Sequence, residues 1–186
     1  MIALKKILVA TDFSEPSDAA LAYGRELARN FGAALTVLHT VEDILSRAYG
    51  IDAGVALNDP EMQRQIEAAA RQKIDASISD EDRDQLKAKN VILVSSTPAA
   101  AIVSYARDSG IDLIVMGTHG RGGVAHLLMG SVSERVVRTA PCPVLTVRHP
   151  EHEFVLPDPS TELGVALSQS KGDAPGRGDE GLTCAR

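Results

Sequence analysis

Aromatic side chains are scarce in this 186-residue sequence: they make up 3% of it, and tryptophan is absent. The core must therefore be aliphatic, and no aromatic platform for stacking successive nucleic-acid bases is apparent. The sequence also has no excess of basic residues: its formal net charge is −6. Since a nucleic-acid groove needs a basic face, the charge balance argues against nucleic acid as a partner.

Cysteine and long apolar runs are equally scarce. Cys142 and Cys184 are too few for a disulfide framework. The apolar runs are far shorter than a membrane span, which predicts no membrane insertion. The first six residues lead directly into a short apolar strand without the pattern of a signal peptide. We therefore expect a cytoplasmic protein.

Short β-branched apolar runs alternate with helical patterns along the first 148 residues. Continuous rather than alternating apolar runs are typical of strands that are buried on both faces. Alternation of strands and helices predicts an α/β fold with a parallel sheet between helices. The five predicted strands are Ile7–Ala10, Leu35–Leu38, Val91–Val94, Leu113–Met116 and Val144–Val147.

Four helices are expected, and three of them have clear boundary signals. The first helix is predicted to start near Ser14 and to end at Gly32, with an inward stripe of Ala20, Gly24, Leu27 and Phe31. The third is predicted to follow Thr97-Pro98 and to stop at Gly110. The last helix is predicted to start at Ser131, which has capping-box spacing to Glu134.

Composition changes after residue 148. Residues 149–186 contain five Gly and four Pro, with seven acidic against three basic side chains. The sequence therefore predicts one domain over residues 1–148 and a mostly disordered acidic tail over residues 149–186.

Glycines at both ends of one connection carry the strongest functional signal. Gly117 and Gly120 follow the fourth predicted strand, and Gly130-Ser131 opens the last helix. Glycines allow backbone N–H groups to approach phosphate oxygens and to adopt positive φ, and a helix N-terminus favours an anion. Glycines are also common in ordinary turns, and Ser131 alone would serve as a helix cap. The full arrangement favours a phosphate-binding loop, although it matches neither the P-loop nor the dinucleotide fingerprint.

These residues resemble the ATP-binding branch of the universal stress protein family. The resemblance lies in the spacing G-x2-G-x9-G-[S/T] from Gly117 to Ser131, in Ile7–Asp12, in Asp112–Gly122 and in the closing Pro141–Val147. It covers about residues 1–148 and implies a Rossmann-like, five-stranded parallel sheet in the order 3-2-1-4-5. Strands 1 and 4 would then be neighbours at the topological switch point, where a ligand is expected between their carboxyl ends.

Matching positions to the family pattern implies a nucleotide site. Asp12 would accept hydrogen bonds from ribose hydroxyls or help to place a metal, with a helix cap as the alternative. Val41 would present backbone groups to adenine, or is simply a strand end. His119 and Arg121 would add positive charge near the phosphates, or face solvent. The implied nucleotide-binding residues are Ala10, Thr11, Asp12, Val41, Met116, Gly117, His119, Gly120, Arg121, Gly130, Ser131, Val132 and Ser133.

The implied ligand is ATP, with Mg²⁺ or Mn²⁺ bound mainly through its phosphates. ADP, AMP and a cyclic nucleotide remain alternatives. One departure from the family pattern is Ser96-Thr97-Pro98, where the family often has Gly-x-Pro beside the pocket.

Three functions compete. The first is a nucleotide-binding regulatory protein of the stress response, which acts through nucleotide-dependent protein contacts. Its predicted homodimer pairs through the apolar edge Val144–Arg148, unless the tail covers that edge. The second is a slow ATPase, against which the absence of a Walker lysine and of a catalytic cluster argues. The third is a dimeric interaction module that has lost the nucleotide, which the glycine spacing disfavours.

Overall fold

The computed structural model describes residues 3–44, 46, 60–119 and 129–148. The tail over residues 149–186, together with Gly120 and Arg121 of the predicted loop, lies outside the described residues. No helix among the described residues has the length and apolar character needed to cross a membrane.

Five parallel strands form one sheet in the order β3-β2-β1-β4-β5, as the family resemblance implies. All five predicted strands are present, most of them with a residue or more added at an end. The strands are β1 Lys6–Thr11, β2 Ala34–Val41, β3 Lys89–Val94, β4 Leu113–Gly117 and β5 Val144–Val147. The central strands β1, β2 and β4 are buried along most of their length, whereas the edge strands β3 and β5 are only partly buried.

Five helices accompany these strands within the described residues, one more than expected. They are α1 Glu15–Phe31, α2 Pro60–Ala76, α3 Asp80–Leu86, α4 Pro98–Ser109 and α5 Ser131–Thr139. The additional helix is the short α3, which begins after Ser79. The Ser79 hydroxyl accepts the N–H of Asp82 over 3.1 Å, and the Asp82 carboxylate accepts the N–H of Ser79 over 3.2 Å. This reciprocal cap offers a sequence signal for α3.

Alternate side chains of β1 point to opposite faces of the sheet and divide the core in two. Ile7 and Val9 pack in the cluster that includes α1, α2 and α3, whereas Leu8 and Ala10 pack in the cluster that includes α4 and α5. Burying one such aliphatic side chain stabilises the folded state by about 1.5–3 kcal/mol. Because β1 contributes side chains to both clusters, it holds helices on both faces of the sheet.

Helix α1 lies on the sheet through its small residues. It ends at Gly32, whose φ of 62° is left-handed, as predicted. Ala20 and Gly24 are buried as expected, but Phe31 is 46% exposed, so the predicted stripe is wrong at its last member. A Cβ on Gly24 would overlap Cγ2 of the fully buried Val9, which explains the close approach of α1 to β1.

Candidate functional site

The carboxyl ends of β1 and β4 lie side by side. Ala10 is paired with Met116 in the parallel register, so Thr11 and Asp12 follow one strand next to the point where Gly117 ends the other. The chain continues from β1 into α1 and from β4 towards α5. The expected switch point is therefore present, and it brings the predicted residues on the two strands together.

The turn from β1 into α1 is held by its own polar side chains. Phe13 has a φ of 62°, which is unusual for a residue with a bulky side chain. The Thr11 hydroxyl accepts the Phe13 N–H over 3.0 Å and contacts the Ser17 hydroxyl over 3.0 Å. His39 of β2 donates from Nδ1 to the Thr11 carbonyl over 2.7 Å, and its ring centroid is 4.4 Å from that of Phe13. These contacts hold the turn in its strained conformation.

Asp12 lies at the centre of this turn. Its Oδ1 accepts the Ser14 N–H over 3.2 Å and the Ser14 hydroxyl over 2.5 Å. The carboxylate thus stabilises the entry into α1, which is the alternative role that the sequence left open. Its position at the carboxyl edge of β1 is also the one expected for a ribose or metal contact, and that role stays a prediction.

Gly117 is required by the packing of α1 against β4. A Cβ at this position would lie 2.9 Å from Cβ of Pro16 and 3.0 Å from its carbonyl carbon. The first turn of α1 therefore approaches β4 where only glycine fits. The left-handed conformation that glycine permits is not used at Gly117: the residue is the last of β4, and the described glycines with positive φ are Gly32 and Gly110.

The two ends of the predicted loop, residues 117–118 and 130–133, are joined by hydrogen bonds, and we call these residues the loop base. The Gly130 N–H donates to the Thr118 carbonyl over 2.7 Å, and the Thr118 N–H donates to the Val147 carbonyl over 2.8 Å. The buried Ser133 hydroxyl donates to the Gly117 carbonyl over 2.8 Å. The Ser133 hydroxyl hydrogen is therefore used within the fold, whereas the family resemblance placed Ser133 among the nucleotide-binding residues.

Helix α5 begins beside this base. Its N-cap is Gly130, in extended conformation with φ −73° and ψ 155°, and the Glu134 N–H donates to the Gly130 carbonyl over 2.9 Å. Ser131 is the first helical residue, so the capping box predicted from Ser131 to Glu134 is wrong by one position. The N–H groups of the first turn, at Ser131, Val132 and Ser133, point out of the helix end as an anion site requires.

The other predicted residues are placed less directly. The Val41 side chain is buried, and its carbonyl accepts the Ser95 N–H over 2.9 Å, so this carbonyl also connects β2 to the segment before α4. Half-buried His119 contacts the Thr118 hydroxyl through Nδ1 over 3.1 Å. No group of three or more His, Cys, Asp or Glu side chains that would hold a metal occurs among the described residues.

A cleft of about 580 Å³ continues from the start of α5. We call it the α4–α5 cleft: Ser96–Ala99 line one side, and Ser131, Val132, Glu134, Arg135, Arg138 and Thr139 of α5 line the other. Ser131 and Val132 belong to both the cleft and the predicted nucleotide site. Ser96, the departure from the family pattern, lies in its wall. Arg135 and Arg138 were not among the predicted site residues, although their i,i+3 spacing on a helix places them on one face.

Comparison with known proteins gives consistent matches over the domain. The family model "Universal stress protein family" matches residues 3–148. The universal stress protein A homolog 2 of Coxiella burnetii is 38% identical over 148 residues, which cover 77% of this chain and 94% of that protein.

Solved structures agree with these matches. The structure of MJ0577, a universal stress protein of Methanocaldococcus jannaschii, has a TM-score of 0.66 at 28% identity and covers 81% of this chain and 100% of that chain. The universal stress protein from Archaeoglobus fulgidus in complex with dAMP has a TM-score of 0.54 at 21% identity and covers 79% of this chain and 99% of that one. The second likeness is one of fold alone.

Proposed function

Because the chain belongs to the universal stress protein family, we propose that it binds ATP between the carboxyl ends of β1 and β4 and acts as a regulatory protein. In this proposal the nucleotide changes which protein surfaces the domain presents, and the protein works in the cytoplasm as part of the stress response. The partner is a protein that recognises one nucleotide state.

The observation that carries the proposal is the hydrogen bonding within the loop base. Hydrogen bonds from Gly130 to Thr118 and from Ser133 to Gly117 bring the N-terminus of α5 to the end of β4. Free N–H groups and the helix dipole then face the ligand position that the sheet topology predicts. This arrangement suits phosphate groups because the N–H groups of Ser131, Val132 and Ser133 come before Glu134, the acidic side chain of the first turn.

The remaining roles follow from position. Thr11 and Asp12 lie at the end of β1, where Asp12 accepts ribose hydroxyl hydrogens while its Oδ1 caps the α1 turn. Val41 ends β2, next to β1, and offers backbone groups to adenine. The relative solved with dAMP binds an adenine nucleotide, which agrees with this choice of base. Mg²⁺ or Mn²⁺ would be held chiefly by the phosphates.

Binding rather than turnover is proposed because the described residues of the site offer no machinery for hydrolysis. Among the described residues, no cluster of three carboxylate, histidine or cysteine side chains is available to hold a catalytic metal. The lysine of a P-loop is also missing from the Gly117–Ser131 segment. We therefore propose that bound ATP acts as a ligand and not as a substrate.

A homodimer through β5 completes the proposal. β5 is an edge strand with Leu145 36% exposed, and an apolar edge of this kind requires pairing or cover. Pairing with the same strand of a second copy would bury it.

Calorimetric titration of the purified protein with ATP, with and without Mg²⁺, tests the nucleotide proposal. We expect saturable binding with one nucleotide per chain, and an absence of heat at millimolar ATP would reject it. Mass spectrometry of nucleotides that copurify with the protein identifies the preferred one. Phosphate release over many turnovers that scales with protein and is lost in Asp12→Ala would show an ATPase instead.

A further inference from the structure

The α4–α5 cleft is large enough for a ligand of its own. Its volume of about 580 Å³ falls within the range of small-molecule pockets. Most of its lining residues are polar, and only Ser131 and Val132 are shared with the predicted nucleotide site. The cleft is therefore an extension of that site and not the same site.

The cleft carries a cation that is available to a ligand. Arg138 is paired with Glu134 over 2.8 Å on the same helix, which neutralises both side chains. Arg135 lines the cleft between them, is exposed, and has no ion-pair partner within the described part of the chain. The three charged side chains of the cleft therefore leave one net positive charge, carried by Arg135.

Two helix ends add to this positive character. α4 begins at Pro98 and α5 at Ser131, and the first residues of both helices line the cleft. The helices have 12 and 9 residues, long enough for a partial positive charge at each N-terminus. The hydroxyls of Ser96, Thr97 and Ser131 provide hydrogen-bond donors beside them.

We propose that the α4–α5 cleft binds a phosphate group, with Arg135 as its cationic ligand and the Ser96 and Thr97 hydroxyls as additional donors. The phosphate has two possible sources: a free inorganic polyphosphate, or the far end of the phosphate chain of a nucleotide held between β1 and β4. The second source rests on the proposed function, and the shared residues Ser131 and Val132 provide the connection. In this arrangement Ser96 favours a long phosphate chain, because its side chain adds a donor where the family often has glycine.

The test compares Arg135→Gln with Arg71→Gln by calorimetry. Arg71 is an exposed arginine of α2, which packs on β2 and β3, so its loss changes the net charge equally without touching the cleft. The probes are inorganic pyrophosphate, ATP and AMP. We expect Arg135→Gln to weaken pyrophosphate or ATP binding roughly tenfold, the value of one charge-assisted hydrogen bond, and AMP binding to stay unchanged. Arg71→Gln should bind all three probes as the parent does.

The outcomes separate the two proposals. Weaker pyrophosphate binding identifies a free anion as the ligand, and weaker ATP binding without pyrophosphate binding identifies the nucleotide's own phosphates. If Arg135→Gln matches the parent or Arg71→Gln with every probe, the cleft proposal is overturned. If AMP fails to bind and ATP binds no tighter than pyrophosphate, the nucleotide proposal fails while the cleft proposal stands. Far-ultraviolet circular dichroism of each variant confirms that both are folded.

Discussion

The Ser133 hydroxyl donates to the Gly117 carbonyl over 2.8 Å, and both residues are buried. This hydrogen bond joins the last residue of β4 to the first turn of α5 across the predicted loop. It places a polar contact of the fold directly beneath a predicted ligand site. Stability and ligand affinity should therefore change together when it is removed.

Ser133→Ala tests that coupling. The substitution leaves the buried Gly117 carbonyl without this donor, and we expect the free energy of unfolding to fall by about 1–3 kcal/mol. ATP should bind more weakly because α5 is no longer held to β4. Urea denaturation and calorimetry measure the two effects. Ser104→Ala, on an exposed position of α4, is the control and should change neither. Unchanged stability in Ser133→Ala would contradict the assigned role.

Gly130→Val separates ligand binding from folding. The φ and ψ of Gly130 are accessible to any residue, so the substitution should reduce the unfolding free energy by only about 1 kcal/mol, the difference between cap residues. The branched side chain would stand where phosphate is expected, and ATP affinity should fall by at least about tenfold, or about 1.4 kcal/mol. Normal ATP binding by a folded Gly130→Val protein would show that the loop assignment is wrong.

Asp82 predicts a pH dependence of stability. Burial alone would raise the pKa of Asp82, but the Ser79 N–H and the Arg25 guanidinium, whose Nε is 2.9 Å away, together lower it below its usual value. Because the folded pKa is lowered, the stabilisation is complete above the unfolded pKa of about 3.9 and is lost as the pH falls through the folded value. The unfolding free energy of the parent should therefore decrease below about pH 5.

Asp82→Asn should remove this acid dependence. At neutral pH the variant loses the ion pair to Arg25 and weakens the α3 cap, which we expect to cost about 2 kcal/mol. Its stability should then change less than that of the parent between pH 5 and 3. Asp84→Asn, at an exposed position of the same helix, provides the matched control. Denaturant unfolding at several pH values measures all three proteins, and equal acid slopes for them would refute the assignment.

Leu145→Lys tests the dimer through β5. A lysine on the edge strand should oppose pairing with a second copy because like charges would meet across the interface. We expect the parent to sediment as a dimer and Leu145→Lys as a monomer. Val94→Lys places the same charge on β3, the opposite edge of the sheet, at a side chain with 44% exposure, and should remain dimeric. If Val94→Lys dissociates and Leu145→Lys does not, the other edge is the interface.

Strand positions were predictable because a run of apolar residues is a local feature of the sequence. Ile7–Ala10 is fully apolar and Leu35–Leu38 is interrupted only by Thr36, since both sheet faces are covered, and the structure confirms these runs as parts of β1 and β2. The order of the strands was available only through the family resemblance, because parallel pairing joins segments that are distant in sequence. Helix α3 was missed because its seven residues are too few for a clear periodic pattern.

The places of the predicted site residues in the fold were predictable, whereas their contacts were not. Gly117 is explained in part by Pro16, a neighbour that only the fold brings near, and the Ser133 hydroxyl serves the Gly117 carbonyl. Asp12 caps the turn to α1, a role that the sequence left open beside ribose binding. No sequence pattern distinguishes hydrogen bonds within the fold from hydrogen bonds to a ligand, because the same polar atoms can make either.

The hydrogen bond from Gly130 to Thr118 has a consequence for chain length. Because this hydrogen bond joins the two ends of the connecting segment, the number of residues between them can change without moving the sheet or the helices. Doubling the length of a connection adds only about 0.6 kcal/mol of closure entropy. We therefore expect residues inserted or removed between the joined ends to leave the fold intact and to alter only the predicted ligand site, so that ligand preference could diverge on an unaltered scaffold.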